Sequence, residues 1–140
     1  MADWAFQWMV GKKGSAAITD YPYTARQGTC KNTAARAVPL TSFAMVKTDT
    51  TSLMAAVAKQ PVAVLVATAS TGLDRYRSGI YGCYPGDAFV WMLLVGYETD
   101  PSAGPYWILK NYWGTTWGRS GYLYATRNCS QFGRAVIPIP

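Results

Sequence analysis

Tyr106-Trp107-Ile108-Leu109-Lys110-Asn111-Tyr112-Trp113-Gly114-Thr115-Thr116-Trp117-Gly118 is the most informative stretch of this 140-residue chain, which contains no histidine. Its first five residues form an aromatic-rich run with the composition of a strand, and Gly121 to Ala125 reads the same way. Working back toward the N-terminus, Phe89 to Tyr97 is apolar apart from Gly96 and is too short for a membrane span. Val62, Val64 and Val66 alternate with Ala63, Leu65 and Ala67, which predicts a strand with both faces largely buried. Two helices precede these runs. Ala2, Ala5, Phe6 and Met9 recur at helical spacing with Asp3 in the first turn, and Gly11 and Gly14 offer places to stop. Leu53, Ala56, Val57 and Gln60 share a face of a helix predicted from about Ser52 to Lys59, capped by Asp49, Thr50 or Thr51 and ended by Pro61. Four or five strands after a helical start predict an α+β chain dominated by a β-barrel or strongly bent sheet.

Half of the residues are hydrophobic, enough at this length for one ordinary domain to bury roughly two thirds of its unfolded surface without staples or metals. Thirteen Lys and Arg against seven Asp and Glu give a formal charge of +6. The basic residues are dispersed from Lys12 to Arg134, and only Lys12 and Lys13 are adjacent, a pattern that solvates a surface and does not suggest a nucleic-acid partner. No run of apolar residues is long enough for a membrane-spanning helix, and the N-terminus does not read as a signal peptide. Three cysteines without histidine or a second Cys-x-x-Cys pair predict no zinc site, and nothing in the chain suggests a cofactor.

Signposts along nearly the whole chain occur in the order found in one family. Asp3, Ala5, Phe6 and Gln7 resemble a D-N-A-F-Q helix start; Tyr21-Pro22-Tyr23 with Gly28-Thr29-Cys30-Lys31 resembles Y-P-Y…G-x-C-K. Gln60-Pro61-Val62 with Val64 resembles Q-P-V-S-V, and Tyr76 with Ser78-Gly79-Ile80-Tyr81 resembles Y-x-S-G-I-Y. Leu94-Val95-Gly96-Tyr97 and the stretch from Tyr106 to Gly121 complete the set. On these residues the chain resembles the papain-like cysteine peptidases of the papain and cathepsin L type. The resemblance implies a two-lobed fold with a cleft between a helical and a β-barrel lobe. Residues 1 to 38 would be a remnant of the helical lobe and its crossover, and residues 39 to 140 the β-barrel lobe. Nothing in the chain reads C-G-S-C-W, so the nucleophilic cysteine of the family would lie before Met1, with this chain corresponding to about the last two thirds of a mature domain.

Papain-like chemistry uses a thiolate, a histidine that accepts and returns its proton, and an amide that orients the imidazole. Counting back from Leu94-Val95-Gly96-Tyr97 places the family histidine at Val90, between Phe89 and Trp91, and valine neither titrates nor hydrogen-bonds. By resemblance Asn111 is the amide of the triad, Trp113 the indole that covers it, and Trp113, Trp117 and Leu65 line the cleft; Tyr112 replaces a serine. Asp87 and Glu98 are the carboxylates near Val90, but a carboxylate of ordinary pKa is a poor base for thiol chemistry near neutrality. The expectation is therefore a non-catalytic papain-like chain serving a structural or protein-binding role. The alternative is a cysteine endopeptidase chain completed by an upstream or partner chain, and a weaker third idea is a cleft that binds peptide or carbohydrate without turnover.

The resemblance also implies that Cys83 pairs with Cys129, a bridge worth very roughly 3 to 4 kcal/mol through loop closure, and that Cys30 is left unpaired or bonded to another chain. Asn128-Cys129-Ser130 fits the N-glycosylation pattern, with its middle cysteine a restriction on access, whereas Asn32-Thr33-Ala34 does not. A lobe normally covered by its neighbour exposes an apolar face, so another polypeptide, either the upstream part of the same precursor or a protein partner, is expected against it. Family members are mostly lysosomal, vacuolar or secreted, and paired cysteines suit such an oxidising space.

Overall fold

The computed structural model describes residues 2–29, 38–69, 72–83, 86, 88–128 and 131–140. The chain divides into two compact units, residues 1–44 with 138–140 and residues 45–137.

In the first unit, helix α1 spans Ala2–Gly11 with Asp3 in its first turn and buries no residue completely. Its end is wound tightly: the Gly14 N–H donates to the Met9 carbonyl at 2.9 Å, and the Lys13 N–H to that of Val10. Gly14 has φ of +131°, and a side chain there would collide with the Val38 carbonyl. That close approach lets Ser15 and Val38 form a two-residue antiparallel bridge. At the other end of this unit, the Thr41 N–H and hydroxyl donate to the carbonyls of Ile139 and Pro140.

In the second unit, helix α2 spans Thr50–Val57, two residues earlier at each end than the sequence predicts. Of the three capping candidates, Asp49 does the work. Its carboxylate accepts the Ser52 N–H at 2.9 Å, satisfying a donor the first turn cannot. Leu53 is fully buried, and Ala56 and Val57 pack beside it against the core.

Six strands make one sheet: β1 (Ser42–Met45), β2 (Val62–Thr68), β3 (Ala88–Asp100), β4 (Gly104–Lys110), β5 (Tyr122–Thr126) and β6 (Phe132–Ile139). Their spatial order is β1-β6-β2-β3-β4-β5. Register shifts interrupt the β2–β6 pairing at Leu65/Val66 and the β3–β4 pairing at Leu94/Gly96, the kind of irregularity that kinks a strand locally. The β5 edge is occupied by Tyr81, whose N–H donates to the Tyr124 carbonyl and whose carbonyl accepts the Thr126 N–H.

β2 differs from its prediction in one respect. Val62, Val64, Val66 and Thr68 are buried, whereas Ala63, Leu65 and Ala67 on the opposite face are only half-buried. The buried face joins Met92, Leu94, Trp107, Leu109, Leu123 and Ala125 in the core. Trp107, almost fully buried, meets Phe132 and Tyr97 edge-on at ring distances of 5.9 and 6.1 Å.

Candidate functional site

β3 and β4 run antiparallel with Leu94 opposite Leu109 and Leu93 opposite Lys110. Lys110 is the last residue of β4, and Asn111 follows it directly. Asn111 is 6% exposed. Its N–H donates to the Gly121 carbonyl at 3.0 Å, and its Oδ1 accepts the Tyr112 N–H at 2.8 Å. The second of these bonds fixes the side chain's orientation and identifies the amide nitrogen. The Nδ2 donor itself is buried and finds no hydrogen-bond partner among the described residues, which costs free energy because buried polar groups are normally paired.

Val90 stands where the family resemblance places histidine. It is the register partner of Val66 across β2–β3 and packs, half-buried, against the hydrophobic core. Its work is apolar packing. Of the two carboxylates considered as substitute bases, Asp87 lies outside the described residues. Glu98 is eight positions further along β3, about 27 Å for extended chain, and its carboxylate accepts the Tyr106 hydroxyl at 2.8 Å. Glu98 is therefore not a base for this end of the strand.

Trp113 is 37% exposed and meets Trp117 edge-to-face at 5.1 Å and the 74%-exposed Tyr112 edge-to-face at 6.0 Å. Trp117, named with Trp113 as a cleft residue, is 6% exposed and belongs to the core cluster. Its indole N–H donates to the Leu73 carbonyl at 3.0 Å, and its ring tilts against Tyr76 at 5.6 Å. Tyr76 locks the arrangement, donating its hydroxyl to the Gly79 carbonyl at 2.7 Å and accepting the Tyr124 N–H at 3.2 Å. Gly118 makes the packing feasible: at φ of +58°, a Cβ there would lie 2.6 Å from the Tyr122 carbonyl oxygen and 3.2 Å from the Tyr76 ring. The support from Leu73 and Tyr76 escaped sequence reasoning as a site feature, although Tyr76 stands in the Y-x-S-G-I-Y signpost.

Leu65 is half-buried on the second face of β2, opposite Trp91 on β3 and Arg134 on β6. Nearby on β3, Phe89 and Leu93 are exposed. This apolar face lies on the side of the sheet away from Val64, Val66 and Met92.

Cys83 is exposed and disulfide-bonded. Cys30 and Cys129 lie outside the described residues. Asn128 is exposed after the end of β5. Among the described residues no group of His, Cys, Asp and Glu could hold a metal ion, and no helix is long and apolar enough to cross a membrane.

The sequence profile described as papain family cysteine protease matches residues 1–137. The chain is 38% identical over 133 residues to the probable cysteine protease RDL6 of Arabidopsis thaliana, covering 91% of this chain and 37% of that protein. It is 33% identical over 142 residues to fruit bromelain of Ananas comosus, covering 96% and 40% respectively. The solved structure of the bromelain protease from Ananas comosus in complex with the E64 inhibitor superposes with a TM-score of 0.85 at 33% identity, covering 96% of this chain and 66% of that one. The chain thus spans well under half the length of these two curated relatives. Family, sheet-rich fold and helical remnant agree: the chain belongs to the papain family of cysteine proteases, as a partial domain consistent with its C-terminal part.

Proposed function

We propose that this chain is a non-catalytic papain-family component that serves as structure or as a protein-binding surface. The carrying observation is the core-packed Val90 at the position the family resemblance gives to histidine, together with Asn111, whose buried Nδ2 finds no partner among the described residues. Proton transfer from a thiol needs a titratable group in the position that valine fills, and the 140 residues contain no imidazole. Asn111 and Trp113 then persist as architecture.

The binding role is supported by apolar surface in each unit: Trp4 and Trp8 on α1, and Phe89 with Leu93 on β3. The occupant is another polypeptide, preferably the part of a papain-family domain that this chain does not itself span. Titrating thiols with an active-site-directed cysteine reagent, while following peptide hydrolysis by the native assembly, tests the reading. Neither stoichiometric labelling nor turnover is expected, and observing both would sink it.

A second reading, a cysteine endopeptidase chain completed in trans, is favoured by the retained Asn111, by the Trp113–Trp117 ring contact and by relatives named as proteases. It requires a histidine supplied by another chain, which the same assay on the isolated chain and on the assembly separates from the first.

A further inference from the structure

We infer that Met54 is a methionine-oxidation site whose sulfoxide oxygen is received by the Arg127 guanidinium. Met54 lies in the second half of α2, half-buried against the core. Arg127 follows directly after β5. The two meet across 73 residues of sequence, where Arg127 Nη1 donates to Met54 Sδ at 2.9 Å. This contact is independent of whether the chain is catalytic.

Among the described residues Arg127 is a cation short of strong acceptors. Besides the thioether, its Nη2 donates at 3.4 Å to the Thr99 hydroxyl and at 3.5 Å to the Glu98 carbonyl, long bonds to neutral groups. Its Nε is buried and finds no acceptor among the described residues. The guanidinium is nonetheless held in place. Its carbon lies 5.3 Å and 5.5 Å from the ring centres of Tyr97 and Trp107, and the Arg127 N–H donates to the Pro105 carbonyl at 2.9 Å. A thioether sulfur is a weak acceptor. A sulfoxide oxygen carries partial negative charge, so exchanging one for the other gives this fixed cation a stronger, charge-assisted bond.

The oxidant is hydrogen peroxide. A lone pair on Met54 Sδ attacks one peroxide oxygen; the S–O bond forms, the O–O bond breaks, and the sulfur gives up two electrons. The proton of the attacked oxygen passes through solvent to the leaving one, which departs as water. Arg127 occupies one lone pair of the sulfur, so oxidation takes the other and yields mainly one sulfoxide epimer. The unbranched side chain then turns about its Cγ–Sδ bond and brings the new oxygen to the guanidinium. A sulfoxide in an apolar core is disruptive. Met92, 4% exposed within the core cluster, is such a place, whereas Met54 has a cation beside it.

Hydrogen peroxide applied to the native assembly, at a dose that leaves Met92 reduced, tests the inference by peptide mapping and thermal unfolding. Met45, 55% exposed, reports that the oxidant has reached surface sulfur. Met54 is expected to be converted alongside Met45, and the unfolding midpoint of oxidised wild type to stay at or above that of the untreated protein. The same treatment is expected to lower the midpoint of Arg127→Gln, while Met54→Leu gives the shift due to the other methionines. A second measurement needs no variant: in a digest of oxidised wild type, one of the two epimer-specific methionine sulfoxide reductases should restore most of Met54 and the other little. Met54 still a thioether when Met45 is fully converted overturns the site. A midpoint that falls in wild type as far as in Arg127→Gln, or an equal mixture of epimers, overturns the role of Arg127.

Discussion

Val90 faces Val66 across the β2–β3 ladder and packs against the core to which Val66 belongs, so the position where the family resemblance places a proton carrier is occupied by a packing residue. Asn111, 21 residues further along the chain, keeps its orientation while its Nδ2 donor has no partner among the described residues. A ring restored at residue 90 tests whether that donor faces it.

That test is a double-mutant cycle. Val90→His is expected to cost stability, because a polar ring replaces a packed aliphatic group, but to cost about 0.5–1.5 kcal/mol less with Asn111 present than in an Asn111→Leu background. Urea denaturation of the four proteins gives the interaction energy. A zero value means that the Nδ2 donor does not face the position of residue 90.

Asn111→Leu alone is expected to lie within about 1 kcal/mol of wild type, since it removes a buried unsatisfied donor along with one accepted hydrogen bond. A loss of 3 kcal/mol or more would require an acceptor for Nδ2, for which about 1–3 kcal/mol of desolvation penalty is the usual scale. Equilibrium unfolding decides between these outcomes.

Trp117 separates packing from ligand binding. Trp117→Phe deletes the N–H bond to the Leu73 carbonyl and is expected to cost about 1–3 kcal/mol, while Trp117→Ala also opens a cavity beside Tyr76 and should cost about 3–5 kcal/mol. Calorimetry checks both. An alanine variant with undiminished stability would contradict the assignment of Trp117 to the core.

Alkaline pH probes the support beneath Trp117. Burial pushes the Tyr76 phenol above its ordinary 10.0, against the weaker opposing pull of the Tyr124 N–H bond and the Arg119 charge. For Tyr106 the bond to the Glu98 carboxylate acts first in the same direction. A raised folded-state pKa means that the unfolded chain releases its proton first. These contributions are complete below about pH 10 and are lost as pH rises from there through the folded-state value. Denaturation midpoints followed across that range should fall for wild type and fall less steeply for Tyr76→Phe; parallel slopes would contradict the assignment.

Much of the fold was legible because its signals are local. Asp49 and Pro61 bracket α2, and the alternation from Val62 to Val66 marks β2. β6 gave no such signal, since Gly133, Arg134 and Pro138 interrupt its pattern and the Leu65/Val66 register shift breaks the alternation that pairing with β2 would impose. β1 is only four residues long. At the candidate site, Val90 followed from counting along β3, and Asn111 and Trp113 from the motif. The burial of Trp117 was not legible. It depends on the Leu73 carbonyl, 44 residues away, and on Tyr76, contacts that no local pattern encodes. The orphaned state of Asn111 Nδ2 was hidden for a similar reason, because only the packed structure shows which donors find partners.

The most direct test of the non-catalytic reading is peptide hydrolysis by the native assembly, measured for wild type and Val90→His under reducing conditions. Wild type is predicted to give no hydrolysis above the uncatalysed background, whether or not Val90→His gains any. Steady turnover by wild type, abolished by a thiol-directed inhibitor, would contradict the account.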